Sequence, residues 1–113
     1  MLNTGLSIYH KITFSDLVEF SKMAKQMGAK ELISFGGYKP ILVYYSRMPV
    51  DFTDKKEQIK KVRSLLSKHK DAYIIGYLSD IEKNKPIVKK NEEVFKRLKI
   101  IQSGKRYFIG RFV

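Results

Sequence analysis

The apolar residues of this chain come in short stretches whose period keeps switching between that of a strand and that of a helix, which leaves few architectures open. Residues 6–13 alternate, with Leu6, Ile8, His10 and Ile12 on one face and Ser7, Tyr9, Lys11 and Thr13 on the other. That is the period of a half-buried strand. The period then lengthens, and Leu17, Phe20, Ala24 and Met27 follow at helical spacing. Ser15 reads as the helix cap, Asp16 and Glu19 stand in the first turn where acids suit the dipole, and Gly28 supplies the stop. The spacing predicts a helix over 16–27.

Leu32 to Phe35 and Ile41 to Tyr45 read as two strands of a hairpin turning at Gly36-Gly37. The second of them, ILVYY, is apolar on both faces and is expected at the centre of a sheet. Asp54 and Glu57 have the spacing of a capping box and open a helix running to about Lys70. Ala72 to Leu78 reads as a further strand, and Pro86 suits the first turn of a helix ending near Leu98. Ile100-Ile101 and Tyr107 to Phe112 flank Ser103-Gly104-Lys105 as a closing hairpin. The order β-α-β-β-α-β followed by α-β-β predicts one α+β domain over residues 1–113: a ferredoxin-like βαββαβ core with a C-terminal helix and β-hairpin extension. A chain of 113 residues holds one core and has no room for two.

Charge is distributed unevenly over these elements. Residues 1–54 carry six Lys/Arg against five Asp/Glu, whereas residues 55–113 carry seventeen against six. A basic half of that density points to a polyanionic partner, because its field draws phosphate backbones in before contact. The 43% apolar content, with seven Tyr and seven Phe, argues against a disordered basic tail. The absence of cysteine excludes disulfides and thiolate metal sites. MLNTGLSIYH has no secretory signal pattern, and the longest apolar run, Ile41 to Tyr45, is far below the roughly 20 residues of a membrane span. The expectation is a soluble, cytoplasmic protein without a membrane role.

On the helix after Asp54, Ile59, Val62, Leu65, Leu66 and His69 form the apolar arc, and Lys56, Lys60, Arg63 and Lys70 share a neighbouring stripe. Cations at one-turn spacing follow a phosphate backbone, each contact releasing a counterion. The next helix and hairpin add Lys89, Lys90, Lys96, Arg97, Lys99, Lys105, Arg106 and Arg111, with Tyr107, Phe108 and Phe112 interleaved with the last three. Burial preference assigns the two Phe to the core. On a ferredoxin-like sheet, Tyr9 and Lys11, with Val43 and Tyr45 or their neighbours, would share a face able to stack bases or to form a dimer, but the C-terminal helix and hairpin are expected to cover it.

Catalytic signals are sparse. No Gly-rich phosphate loop of nucleotide-binding type occurs, and Phe35-Gly36-Gly37 reads as a turn. His10 and His69 are the only histidines, and nothing in the sequence brings them together. Asp80 and Glu82, just past a strand, have the residue types of an Mg²⁺ site but also those of a polar turn. The reading is therefore a non-enzymatic module, needing no cofactor, that binds RNA or DNA phosphates through Lys56, Lys60, Arg63, Lys70, Lys89, Lys96, Arg97, Lys105 and Arg111. The alternative is a small effector or adaptor docking on the acidic surface of a protein complex, such as a viral inhibitor or a ribosome- or polymerase-associated factor. A third is an Mg²⁺-dependent nuclease using Asp80 and Glu82.

Overall fold

The computed structural model describes residues 16–37 and 39–113, so the strand expected at residues 6–13 and the cap at Ser15 lie outside the described residues. Helix α1 spans residues 16–26 and turns off at Gly28, which holds φ +83°, close to the boundary its spacing predicts. The order continues as β1 (Leu32–Phe35), α2 (Pro40–Ser46), β2 (Val50–Asp51), α3 (Lys55–Ser67) and β3 (Ala72–Tyr77). A 3₁₀ turn (Leu78–Ile81), α4 (Pro86–Lys90), α5 (Glu92–Phe95), β4 (Leu98–Ser103) and β5 (Tyr107–Phe112) complete it. The result is an α+β domain with a five-stranded mixed sheet and five helices among the described residues.

The expected Gly36-Gly37 hairpin is corrected by the structure, because Ile41 to Tyr45 is helical and forms most of α2. Pro40 stands at the start of that helix, where its missing N–H is no loss and its fixed φ suits the first turn. Leu42 and Ser46, four residues apart, are its buried positions, whereas Val43 and Tyr44 face outward. A five-residue apolar run fits either period, and the one-sided burial of a helix prevailed here.

The sheet order is β2-β1-β3-β5-β4. β1 runs parallel to both β2 and β3, while β5 is antiparallel to β3 and to β4. The ferredoxin-like order is not confirmed: its expected third strand is α2, and the described core contains two parallel crossovers, β1-α2-β2 and β2-α3-β3, whose helices pack on opposite sheet faces. The C-terminal hairpin is present as β4 and β5, but it belongs to the sheet and does not cover it. The third expected helix is two short ones, α4 and α5, interrupted at Asn91.

Strand alternation sorts the core into two halves. Ile33, Phe35, Ile74, Phe108 and Phe112 pack with Ile59, Val62 and Leu66 of α3 and Val94 of α5. Leu32, Ile75 and Ile109, on the opposite face, pack with Leu17, Phe20 and Ala24 of α1 and Leu42 of α2. Helices thus pack on both faces of the sheet, leaving β4 exposed beyond Leu98, and Val43 and Tyr45 stand on α2 and not on a sheet face. Tyr9 and Lys11 lie outside the described residues. Each large apolar side chain fully buried this way contributes about 1.5–3 kcal/mol.

Candidate nucleic-acid interface

Helix α3 is built to present its cations. Asp54 caps it, Oδ1 accepting from the Glu57 N–H at 2.9 Å, as the Asp54/Glu57 spacing leads one to expect. Gln58, Ile59, Val62 and Leu66 are buried, so Lys56, Lys60 and Arg63 are left facing out along one stripe. Gln58 fixes the rotation of the helix: its Nε2 donates to the carbonyls of Ser34 at 2.9 Å and Asp51 at 3.1 Å, tying α3 to the ends of β1 and β2. The helix ends at Ser67, short of Lys70. His69 follows with φ +58°, its N–H donating to Leu66 O and the Lys70 N–H to Leu65 O, so His69 serves a backbone turn.

The stripe forms one wall of a groove of about 490 Å³ whose other wall is α4. Lys56, Lys60 and Arg63 line it from α3 and Lys90 from α4, with the buried Ile59 and the half-buried Ile87 at its floor. Arg63 bridges the helices, Nη2 donating to Asn91 Oδ1 at 2.6 Å and its guanidinium pairing with Glu93. A hydrogen bond from its own backbone N–H, and then the one from Arg63, hold the Glu93 carboxyl below its usual range. Lys60 has only an exposed contact with Glu57 at 3.5 Å, worth little in water. Among the described residues Lys56 and Lys90 have no ion-pair partner.

The other expected contact residues are dispersed. Lys70 is exposed past the end of α3, beside a separate depression lined by Glu31, Lys61 and His69. Lys89 is exposed on α4, and Lys96 borders a cleft with Ile81, Val88 and Phe95. Arg97 donates from Nε to the Val113 carbonyl at 2.6 Å, and Lys105 is exposed at the hairpin turn. Arg111 alternates with Phe112 and so lies on the sheet face packed by α1 and α2, across the sheet from α3. There it stands 6.0 Å from the Tyr73 ring centre and 3.6 Å from Asp71. The nine cations therefore form no single surface, because strand alternation and the α4–α5 break send them in different directions.

Three further ion pairs have no counterpart in the sequence pattern. Lys61, on the other flank of α3, pairs with Glu31 and with Asp51 at 3.2 Å. Burial pushes the Asp51 carboxyl up, but hydrogen bonds from Thr53 and Lys61 outweigh it and hold the group below its ordinary value. Burial likewise acts to lower Lys61, and Glu31 and Asp51 reverse the effect, leaving it raised. Lys55 Nζ pairs with Asp80 Oδ1 at 3.0 Å, joining the start of α3 to the turn after β3. All three join residues ten or more positions apart in the chain, and no local spacing marks them.

Asp80 is thus engaged by a cation, and Glu82 is exposed beyond the 3₁₀ turn. Among the described residues no group of three or more His, Cys, Asp or Glu side chains is arranged to hold a metal ion. No described helix is long and apolar enough to cross a membrane. Comparison of the chain with protein-family models, with curated proteins and with solved structures gave no match.

Proposed function

We propose that this protein is a non-enzymatic nucleic-acid-binding module that holds backbone phosphates in the groove between α3 and α4. The observation that carries the reading is the convergence of Lys56, Lys60 and Arg63 with Lys90 from a second helix, which a merely solvated helix face would not require. The helical rise sets the three α3 cations roughly 6 and 4.5 Å apart along the axis, a fixed row for a sugar-phosphate chain to follow. RNA and DNA are both candidates, since phosphate contacts carry no base information.

The test is fluorescence anisotropy of labelled single- and double-stranded RNA and DNA across a salt series. Four groove contacts imply a log-log slope of about −3 to −4 on duplex DNA. Lys60→Glu combined with Lys90→Glu spares the Arg63 bridge, and is expected to abolish measurable binding while leaving the thermal transition in place. Unchanged affinity in that double variant, or no binding by the parent protein at low salt, overturns the reading. A partner retained from nuclease-treated lysate and lost in the same variant would instead support docking on an acidic protein surface. Mg²⁺-dependent cleavage through Asp80 and Glu82 has less support, because Lys55 already occupies the Asp80 carboxylate.

A further inference from the structure

We propose that the crevice outside the C-terminal ends of β1 and β3 is a second ligand site, which takes a phosphate monoester between Lys39 and Lys55. The topology singles out this place. β1 and β3 are parallel neighbours, yet the helix that follows β1 packs on one sheet face and those that follow β3 pack on the other. The two connections diverge and leave a crevice above the strand ends, which is where open α/β sheets hold their ligands.

What lines the crevice has the chemistry of an anion site. Gly36 and Gly37 are exposed at the end of β1, and beside them a depression of about 650 Å³ is also lined by Thr53, Lys55 and Lys56. Lys39 is the only lysine among the described residues that is buried, at 9% exposure. A lysine is seldom buried without a paired charge. Among the described residues Lys39 has no carboxylate within ion-pair distance, because the nearby Asp80 is held by Lys55. Its ammonium stands 4.6 Å from the Tyr77 ring centre, and 3.4 Å from where a side chain on Gly37 would begin. Burial lowers its pKa, with Tyr77 and Asp80 opposing the shift.

Charge balance favours an anionic ligand: among the described residues Lys39, Lys55 and Lys56 outnumber Asp80, whose carboxylate stands against Gly36 and pairs with Lys55, and the helix-capping Asp54. The Tyr107 hydroxyl, pushed up to about 12 by burial and by Tyr77, stays protonated and donates to the Tyr77 hydroxyl at 3.5 Å, with Asp16 acting on it in the same direction. A phosphate oxygen reaching Lys39 would supply the counter-charge that this lysine lacks.

The ligand's phosphate has two sources, a free nucleotide and the end of a nucleic-acid strand. The test follows backbone amide resonances of the full chain by NMR during titration with adenosine monophosphate, adenosine, and a short oligonucleotide with or without a 5′-phosphate. Phosphorylated ligands are expected to shift the Gly36 and Gly37 signals, and adenosine is expected to leave them unmoved. Shifts with both adenosine monophosphate and the phosphorylated strand indicate a free-nucleotide site; shifts with the strand alone indicate a strand-end site. Lys39→Met keeps the apolar stem and removes the charge, and should weaken binding by about tenfold or more. Lys55→Gln provides the second variant if Lys39→Met fails to fold. The Lys60→Glu/Lys90→Glu protein should retain these shifts, which separates this site from the groove. Unmoved Gly36 and Gly37 signals with every phosphorylated ligand, or equal affinity in the folded lysine variants, overturn the proposal.

Discussion

Gly36 holds φ +92°, and a side chain there would begin inside van der Waals contact with Asp80 Oδ2. Gly36→Ala is therefore expected to lower stability by about 1–2 kcal/mol, measured by urea unfolding. Removing the Asp80 carboxylate as well should recover only the steric part, since the backbone strain stays. His69 presents the converse case, a side chain in the left-handed region at φ +58° where a helix end prefers glycine. His69→Gly should raise stability by about 1 kcal/mol in the same assay. The Asp51–Lys61 pair sets a pH limit at each end. With Asp51 depressed below 3.8, its stabilisation is present above that value and is lost as pH falls through the lower folded value. With Lys61 raised above 10.5, its contribution is present below that value and is lost as pH rises through the higher one. Asp51→Asn should flatten the acid limb of thermal stability against pH; an unchanged limb would assign acid unfolding to other carboxylates. None of these pairings was legible in the sequence, because Glu31, Asp51 and Lys61 meet only once β1, β2 and α3 are assembled.

Elements differed in how far their own residues specified them. α3 was legible from its cap and apolar arc because both signals are local, and the cap bond forms as the spacing implies. Asp54→Ala should lower stability by about 1 kcal/mol, read from the denaturation midpoint. α2 was not legible, since ILVYY is too short for its period to declare itself. Its helical burial now separates two neighbours: Leu42 is fully buried, whereas Val43 is 44% exposed. Leu42→Ala is expected to cost about 2–5 kcal/mol and Val43→Ala about 0.5 kcal/mol or less. Equal, large losses at both positions would restore the central strand the sequence suggested. The α4–α5 break at Asn91 has a visible cause: Asn91 Nδ2 donates to Ile87 O at 2.8 Å while its Oδ1 accepts from Arg63. The side chain competes with regular helix bonding and turns the chain toward Glu93.

At the scale of the whole molecule, the basic hairpin is no detachable arm. β5 lies between β3 and β4, sends Phe108 and Phe112 into one half of the core and adds Ile109 to the other. A chain ending at Arg97 should accordingly show no cooperative thermal transition by circular dichroism; a cooperative transition would make the hairpin an appendage. What the sequence alone determined was composition-wide or local: a single α+β domain, a cation-rich second half, the capped α3 and its outward stripe. Those follow from period and capping, interactions reaching a few residues along the chain. Only the tertiary structure decided that the sheet is mixed, that Arg111 faces away from Lys60, and that Lys90 joins the α3 stripe. It alone brought Lys39, Lys55 and Asp80 to the divergence of β1 and β3, because strand order and crossover direction arise from packing both sheet faces at once, which no local spacing records.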